Sequence, residues 1–500
     1  MKEYPAFGPL LQKYLTDQDR SASWLARQLD CNAATVNRWL NHPDMRPGNI
    51  EMLTKLADCL NIQEAAERQA LFAAAGYGYA EPPKSTPTNS NSTSAADVTP
   101  IRAPYDFFAY EAEAWVGRDT LVRTLSQHLQ DSRRIVMLVG MAGIGKTALA
   151  ERLAVELKSW LPAKPHTEYR LNFDHQQRKT SFATVALQWL HEWGQPVDGK
   201  EASTPELLIE RLTNLLRHQR HLVIIDALEK ILTNSEEGGA NDFTDPGWND
   251  FFHSLLSAET LESRVILTSQ DVPVQLDARA NQYRTRWERR RLSGLTEAER
   301  LELFEKVGLR VEPASPDAQY LARLAAIYDG HPLALRTIAG EILNDYGGNV
   351  TAYWREYGRE VEAVEQDLLA ARQAGAVQGA TDNWRLDRYS VQLQRHVRSR
   401  LDGAFQRLEE RAPEAYQLLC ILANYRTLIK ERTGLYHLGQ AFGYTPETQK
   451  AALQALRDRC LIEDSTWDPA GNRLIGLHNL IRSIALEHAH RLFPDEEPSK

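Results

Sequence analysis

Eight consecutive residues, Gly140-Met141-Ala142-Gly143-Ile144-Gly145-Lys146-Thr147, place three glycines, a lysine and a hydroxyl in the order needed to hold a polyphosphate. The glycines permit a tight turn whose backbone N–H groups point inward at an anion. Lys146 can reach the outer phosphates, and the Thr147 hydroxyl can ligate Mg²⁺. Further along, Asp226 ends an apolar run, His221-Leu222-Val223-Ile224-Ile225-Asp226, where a second metal-facing oxygen belongs. Glu229 is the best candidate to polarise an attacking water, with helix capping or a surface role as the alternative.

These groups need elements to position them. Ile135-Val136-Met137-Leu138-Val139 reads as a buried strand, and Ala148-Leu149-Ala150-Glu151-Arg152-Leu153-Ala154 as a helix. Strand, glycine loop and helix in that order make a phosphate loop, with the helix N-terminus adding partial positive charge from Thr147 and Ala148 onward. Val116-Gly117-Arg118, ahead of an amphipathic helix over Thr120–Leu129, can lie against a nucleotide base. Strands are expected at 168–173, 221–226, 263–269 and 289–292, and helices at 180–192, 205–218 and 296–308. Residues 232–248 read as an inserted surface loop. The sum is a parallel α/β sheet sandwiched by helices.

The 500 residues suggest about three domains. A hydrophobic content of 43% allows sizeable cores, and a net charge of −9 gives no global sign of nucleic-acid or acidic-membrane binding. Cys31, Cys59, Cys420 and Cys460 are too scattered for a disulfide framework or a zinc site. No apolar run is long enough to span a membrane. A cytoplasmic protein that does not engage membranes is expected.

Residues 1–77 read as a bundle of short helices. The second and third, Ser21–Leu29 and Ala33–Leu40, are joined by the turn Asp30-Cys31-Asn32, the spacing of a helix-turn-helix. Val36, Trp39 and Leu40 would fill the core. Asn32, Thr35, Asn37 and Arg38 would then face a major groove. Through Leu25–Leu29, Thr35–Trp39 and the helix after Arg46-Pro47, this segment resembles the lambda-repressor-like (XRE) helix-turn-helix family. Eight Lys or Arg against nine Asp or Glu over these residues is a weak phosphate-gripping balance, so a protein-binding adaptor stays open.

Residues 78–104, rich in Pro, Ser, Thr and Asn, read as a flexible linker. The phosphate-loop domain then runs over 105–300. Residues 301–412 are read as a helical domain, with Gly330-His331-Pro332-Leu333-Ala334 between two helices. Residues 413–490 combine helices with a short hairpin around 468–472, which suggests a winged helix, and 491–500 form a tail. The expected fold class is therefore multidomain α and α/β: an all-α helix-turn-helix domain, a P-loop NTPase sheet, a helical domain and a winged helix.

From about 110 to 490 the chain resembles the STAND NTPases of the NB-ARC type. Val116-Gly117-Arg118, the phosphate loop, Ile224-Ile225-Asp226, Thr268-Ser269, Gly330–Ala334 and Leu477-His478-Asn479-Leu480 carry the resemblance, in the family's order. It implies a switch that ADP closes and ATP opens toward a homo-oligomer, with slow hydrolysis. It also implies that Pro332 packs near the base or sugar and that His478 meets the ADP β-phosphate. Three positions depart from the family pattern: Gln270 stands where an arginine is usual, Ala227 where an acid is frequent, and Asn479 where an aspartate follows the histidine. No repeat sensor is evident in the periodicity, so sensing is assigned to a partner or to the other domains.

The combined expectation is an ATP/ADP- and Mg²⁺-dependent switch that binds DNA through residues 1–77 and regulates transcription. One alternative is a defence or signalling NTPase whose N-terminal domain recruits a protein effector. The other is a DNA-remodelling or transposition-helper ATPase.

Overall fold

The computed structural model describes residues 7–17 and scattered positions from 25 to 75. It also describes residues 114–493 apart from 164–166, 176–180, 196, 234–241, 376–387 and 468–471. Two compact units divide the chain, residues 1–100 and 101–500.

In the first unit, helix α1 (Phe7–Asp17) buries Phe7, Leu11 and Leu15 with Leu25, Val36, Trp39, Leu53, Leu56, Leu60, Leu71 and Phe72 in one core. Val36 and Trp39 are core residues, as the helical spacing predicts. A Cβ on Gly8 would lie 2.7 Å from the carbonyl oxygens of Trp39 and Leu40, so α1 approaches that segment closely. The DNA-facing candidates Asn32, Thr35, Asn37 and Arg38 lie outside the described residues, as does the 78–104 linker.

The second unit is built on a five-stranded sheet. Its elements begin with α2 (Asp119–Asp131), β1 (Ile135–Val139), α3 (Lys146–Leu157), β2 (Glu168–Asn172), α4 (Phe182–Glu192), α5 (Pro205–His218) and β3 (Leu222–Asp226). They continue with α6 (Pro246–Ser257), β4 (Arg264–Ser269), α7 (Val274–Ala280), β5 (Trp287–Arg291) and α8 (Glu297–Val307). All pairings are parallel, in the order β2-β3-β4-β1-β5. Parallel strands need helical crossovers, and helices then cover both faces.

Alternation along the strands sorts the core. Ile135, Met137 and Val139 point to one face, where Trp189, Trp248, Phe251 and Phe252 pack. Val136 and Leu138 point to the other, where they join Leu149, Leu153 and a core that continues into the C-terminal helices. That second core is why the later elements are anchored to the sheet.

The described ends of 232–248 are less exposed than the sequence suggests, and the helix α6 already begins at Pro246. Leu232 and Phe243 form an antiparallel bridge and are buried, and Trp248 on α6 is fully buried. The polar and glycine-rich composition of the middle of this stretch concealed apolar ends that close over the sheet.

Beyond α8 follow α9 (Pro316–Ile327), α10 (Pro332–Tyr346), α11 (Val350–Gly375) and α12 (Arg388–Arg411). Glu341 on α10 is buried between Arg400 and Arg407 of α12 and ion-pairs with both, while Arg400 stacks over Tyr353 and Tyr357. The last module contains α13 (Pro413–Ala423), β6 (Ile429–Lys430), α14 (Glu431–Phe442), α15 (Pro446–Asp458), β7 (Glu463–Trp467), β8 (Arg473–Gly476) and α16 (Asn479–Leu492). Its strands pair antiparallel in the order β6-β8-β7. Among the described residues, no helix is long and apolar enough to cross a membrane.

Candidate nucleotide site

The parallel register brings the chemical residues to one edge. Asn172 is level with Asp226, and Val139 is level with Ser269. The loop between β1 and α3 therefore sits at the C-terminal ends of the strands, where ligands of such sheets bind.

Gly143 and Gly145 both take positive φ, 78° and 94°, a conformation that side chains disfavour. Gly145 caps α3, and Lys146 and Thr147 start it. Lys146 is buried, and its Nζ donates to the carbonyls of Gly140 and Met141, each at 2.9 Å. Burial lowers its ammonium pKa, opposed by Glu229, Asp226, Asp174 and Asp271 nearby. A buried cation among four carboxylates, curled onto its own loop, is chemically suited to exchange those carbonyls for phosphate oxygens.

Asp226 is buried at the end of β3. Its Oδ1 accepts from the hydroxyls of Thr147, at 2.9 Å, and Thr268, and its Oδ2 accepts from Asn172 Nδ2 at 3.0 Å. Burial raises its carboxyl to about 6, although the Thr268 and Thr147 bonds pull it back. Thr147 and Asp226 thus stand as an adjacent oxygen pair, the donor set that suits Mg²⁺. Together with the glycine cradle and Lys146, these residues fit a Mg²⁺-nucleotide.

Glu229 follows a strained turn. Ala227 has φ 60°, the left-handed region, and its N–H is held by Thr268 Oγ1 at 3.2 Å. Glu229 is then clasped by Gln270, whose backbone N–H and Nε2 donate to the two carboxylate oxygens at 3.1 and 2.9 Å.

The Val116–Arg118 segment braces the loop from outside. Arg118 Nη2 donates to the carbonyls of Ile144, at 2.7 Å, and Ser293, at 2.9 Å. Its backbone N–H reaches Glu299 Oε1 at 2.5 Å, on the first turn of α8. Gly117 takes φ 60°, and a Cβ there would overlap the Glu299 side chain. Val116 is buried beside a cavity of about 420 Å³ that Leu303, Val307, Arg336 and Leu343 also line. Arg118 contacts loop carbonyls in this structure, and Glu299 and Ser293 are partners that no local sequence pattern marks.

The C-terminal modules also reach the site. His331 is buried and precedes Pro332 at the first turn of α10. Its Nδ1 accepts the Ala334 N–H at 3.3 Å, so the ring proton is on Nε2, which donates to the Ala142 carbonyl at 2.9 Å. Burial holds its pKa down at about 4. His331 and Leu333, on either side of Pro332, both lie against Gly143 of the loop.

His478 caps α16, its Nδ1 accepting from Leu480 N–H at 3.1 Å. Its pKa also falls to about 4, chiefly through desolvation and then through the charge of Lys146. Next to it, Asn479 Nδ2 donates to Asp174 Oδ2 at 2.5 Å, and Lys230 pairs with the other oxygen at 3.1 Å. Asp174 lies two residues past β2, and nothing near it in the chain marks it.

Residues 114–238 match the family model described as the AAA ATPase domain. The matched span takes in β1, the loop, β2, β3 and Asp226. An uncharacterised WD repeat-containing protein of Nostoc sp. is 31% identical over 255 residues, covering 49% of this chain and 19% of that protein. The chain thus spans about a fifth of that relative's length. Among solved structures, a Signal Transduction ATPase with Numerous Domains (STAND) protein with a tetratricopeptide repeat sensor from Pyrococcus horikoshii aligns with a TM-score of 0.42 at 18% identity. That alignment covers 75% of this chain and 42% of the other. The Aeropyrum pernix ORC1 protein in complex with DNA aligns with a TM-score of 0.31 at 15% identity, over 76% and 94% of the two chains.

Proposed function

We propose that the chain is an ATP/ADP-dependent switch of the STAND, NB-ARC-like type with an N-terminal DNA-binding helix-turn-helix. Gly140 to Ala148 cradle the phosphates, Lys146 neutralises them, and Thr147 and Asp226 hold Mg²⁺. Glu229 accepts the proton of the attacking water in a slow hydrolysis. The Val116-lined cavity takes the base, and Gly117, Arg118 and Pro332 are assigned to the nucleotide by the family resemblance, not by lining that cavity. His478 brings the C-terminal module, read as a winged helix, to the β-phosphate.

One observation carries this reading: elements far apart in the chain converge on the loop. His331 bonds to Ala142, and His478 lies within the field of Lys146. A ligand at Lys146 would then have different contacts with the C-terminal modules in closed and open forms, which is the requirement for a population shift. Its charge would set how those modules sit, and opening would expose surface for self-association. Oligomers would in turn multiply weak DNA contacts made by Asn32, Thr35, Asn37 and Arg38.

The test is to identify the nucleotide that co-purifies with the full chain and to measure its mass by light scattering with ADP and with ATP. An ADP monomer and a larger ATP species support the switch, whereas equal masses oppose it. Salt-dependent, sequence-selective DNA binding supports the transcriptional output. The near balance of eight basic and nine acidic residues over 1–77 favours a second output, recruitment of a protein effector, and absent DNA binding would select it.

A further inference from the structure

Glu229 has both carboxylate oxygens occupied by Gln270. A carboxylate only accepts, so the Gln270 amide must turn its nitrogen toward Glu229 and its oxygen outward. That oxygen accepts from Gln394 Nε2 at 3.3 Å. Gln394 lies on α12, one turn after Ser390, whose hydroxyl accepts from Arg291 Nη2 at 3.0 Å. Residues four apart share a helix face, so one face of α12 rests on the ends of both β4 and β5. An arginine at position 270 would offer Gln394 no acceptor, whereas glutamine can serve both neighbours at once.

We propose that Gln394 is a positioning residue that restrains nucleotide hydrolysis through Gln270. By donating to the Gln270 oxygen it fixes the amide in the orientation that occupies Glu229. Movement of α12 off the sheet ends would release the amide and free Glu229 Oε1 to accept a proton, while the Gln270 backbone N–H keeps Oε2 in place. In the step so controlled, the water oxygen bonds to the γ-phosphorus as the bond to the bridging oxygen breaks. The water proton passes to Glu229, and ADP leaves with the electron pair. The helical domain thereby controls hydrolysis as well as closure. This inference rests on the hydrolysis reading above.

The experiment compares full-length Q394A, Q394E and Q394K with wild type, reading ATP turnover, affinity for a fluorescent ADP analogue, and thermal melting. Q394A removes the donor, and turnover should rise about three- to tenfold, the worth of one hydrogen bond. Q394E offers only acceptors, draws the Gln270 nitrogen to itself and should also accelerate. Q394K still donates and should stay at the wild-type rate. Nucleotide affinity should be the same in all four.

Turnover of Q394A and Q394E at or below wild type, with nucleotide bound normally, overturns the proposal. So does equal acceleration in Q394K, which would mark a merely structural role. Failure of the wild-type chain to bind ADP or ATP would instead defeat the nucleotide reading, and this proposal with it.

Discussion

His331 Nε2 donates to the carbonyl of Ala142 across 2.9 Å, while Nδ1 of the same ring caps α10. One neutral imidazole thus ties the phosphate loop to the start of the helical domain. His331→Ala removes the cap and leaves the partly buried Ala142 carbonyl without its donor. Losing a cap costs about 1 kcal/mol and an unsatisfied buried acceptor about 1–3 kcal/mol. We expect a loss of about 2–4 kcal/mol in denaturant unfolding of this unit, together with weaker nucleotide binding.

The same ring sets a pH dependence. Its folded pKa of about 4 lies below the ordinary value of 6.5, so the unfolded chain takes up the proton first as pH falls. Stability from His331 is complete above about 6.5 and is lost progressively toward 4. His478 acts in the same direction, whereas Asp226, raised to about 6, opposes both below that pH. Melting curves of wild type and His331→Gln between pH 7 and 5 isolate the histidine. The wild type should lose more stability on acidification, and parallel curves would refute the assignment.

Asn479 stands where the family that the chain resembles carries an aspartate. It donates to Asp174 at 2.5 Å, a contact that an aspartate there would turn into repulsion between two carboxylates. Asn479→Asp should loosen the C-terminal module, seen as faster proteolysis between α12 and α13. Adding Asp174→Asn should restore resistance, because the donor and acceptor are then exchanged.

Glu341 is buried between Arg400 and Arg407, joining α10 to α12. Glu341→Ala leaves two cations with no anion between them, and one of them, Arg400, is buried. Breaking such a pair costs about 3–5 kcal/mol. We expect a fall of that order in unfolding free energy, or no folded helical domain. Unchanged stability would show that the cations find other partners.

How much of this was legible beforehand follows from where each signal lies. The apolar strands and glycine loop announce themselves locally, so β1, β3 and β4 and the residues from Gly140 to Thr147 fall where residue spacing puts them. Lys146, Thr147 and Asp226 also come together as their order suggests. The helix Glu431–Phe442 went unread because Gly434 and Gly439 interrupt its pattern. His331, Glu299, Asp174 and Gln394 are invisible for another reason. Their partners are 189, 181, 305 and 124 residues away, and no local periodicity encodes a contact at that distance.

Ala227 holds a shape that an ordinary residue adopts only at a cost of about 1–2 kcal/mol. Glycine at that point would relieve the bend and give the chain more latitude there. The protein would gain ease in its backbone and lose definition in where the Glu229 carboxylate aims. A sprung joint of this sort trades robustness for aim, and the Ala227→Gly exchange is where stability and turnover should part company.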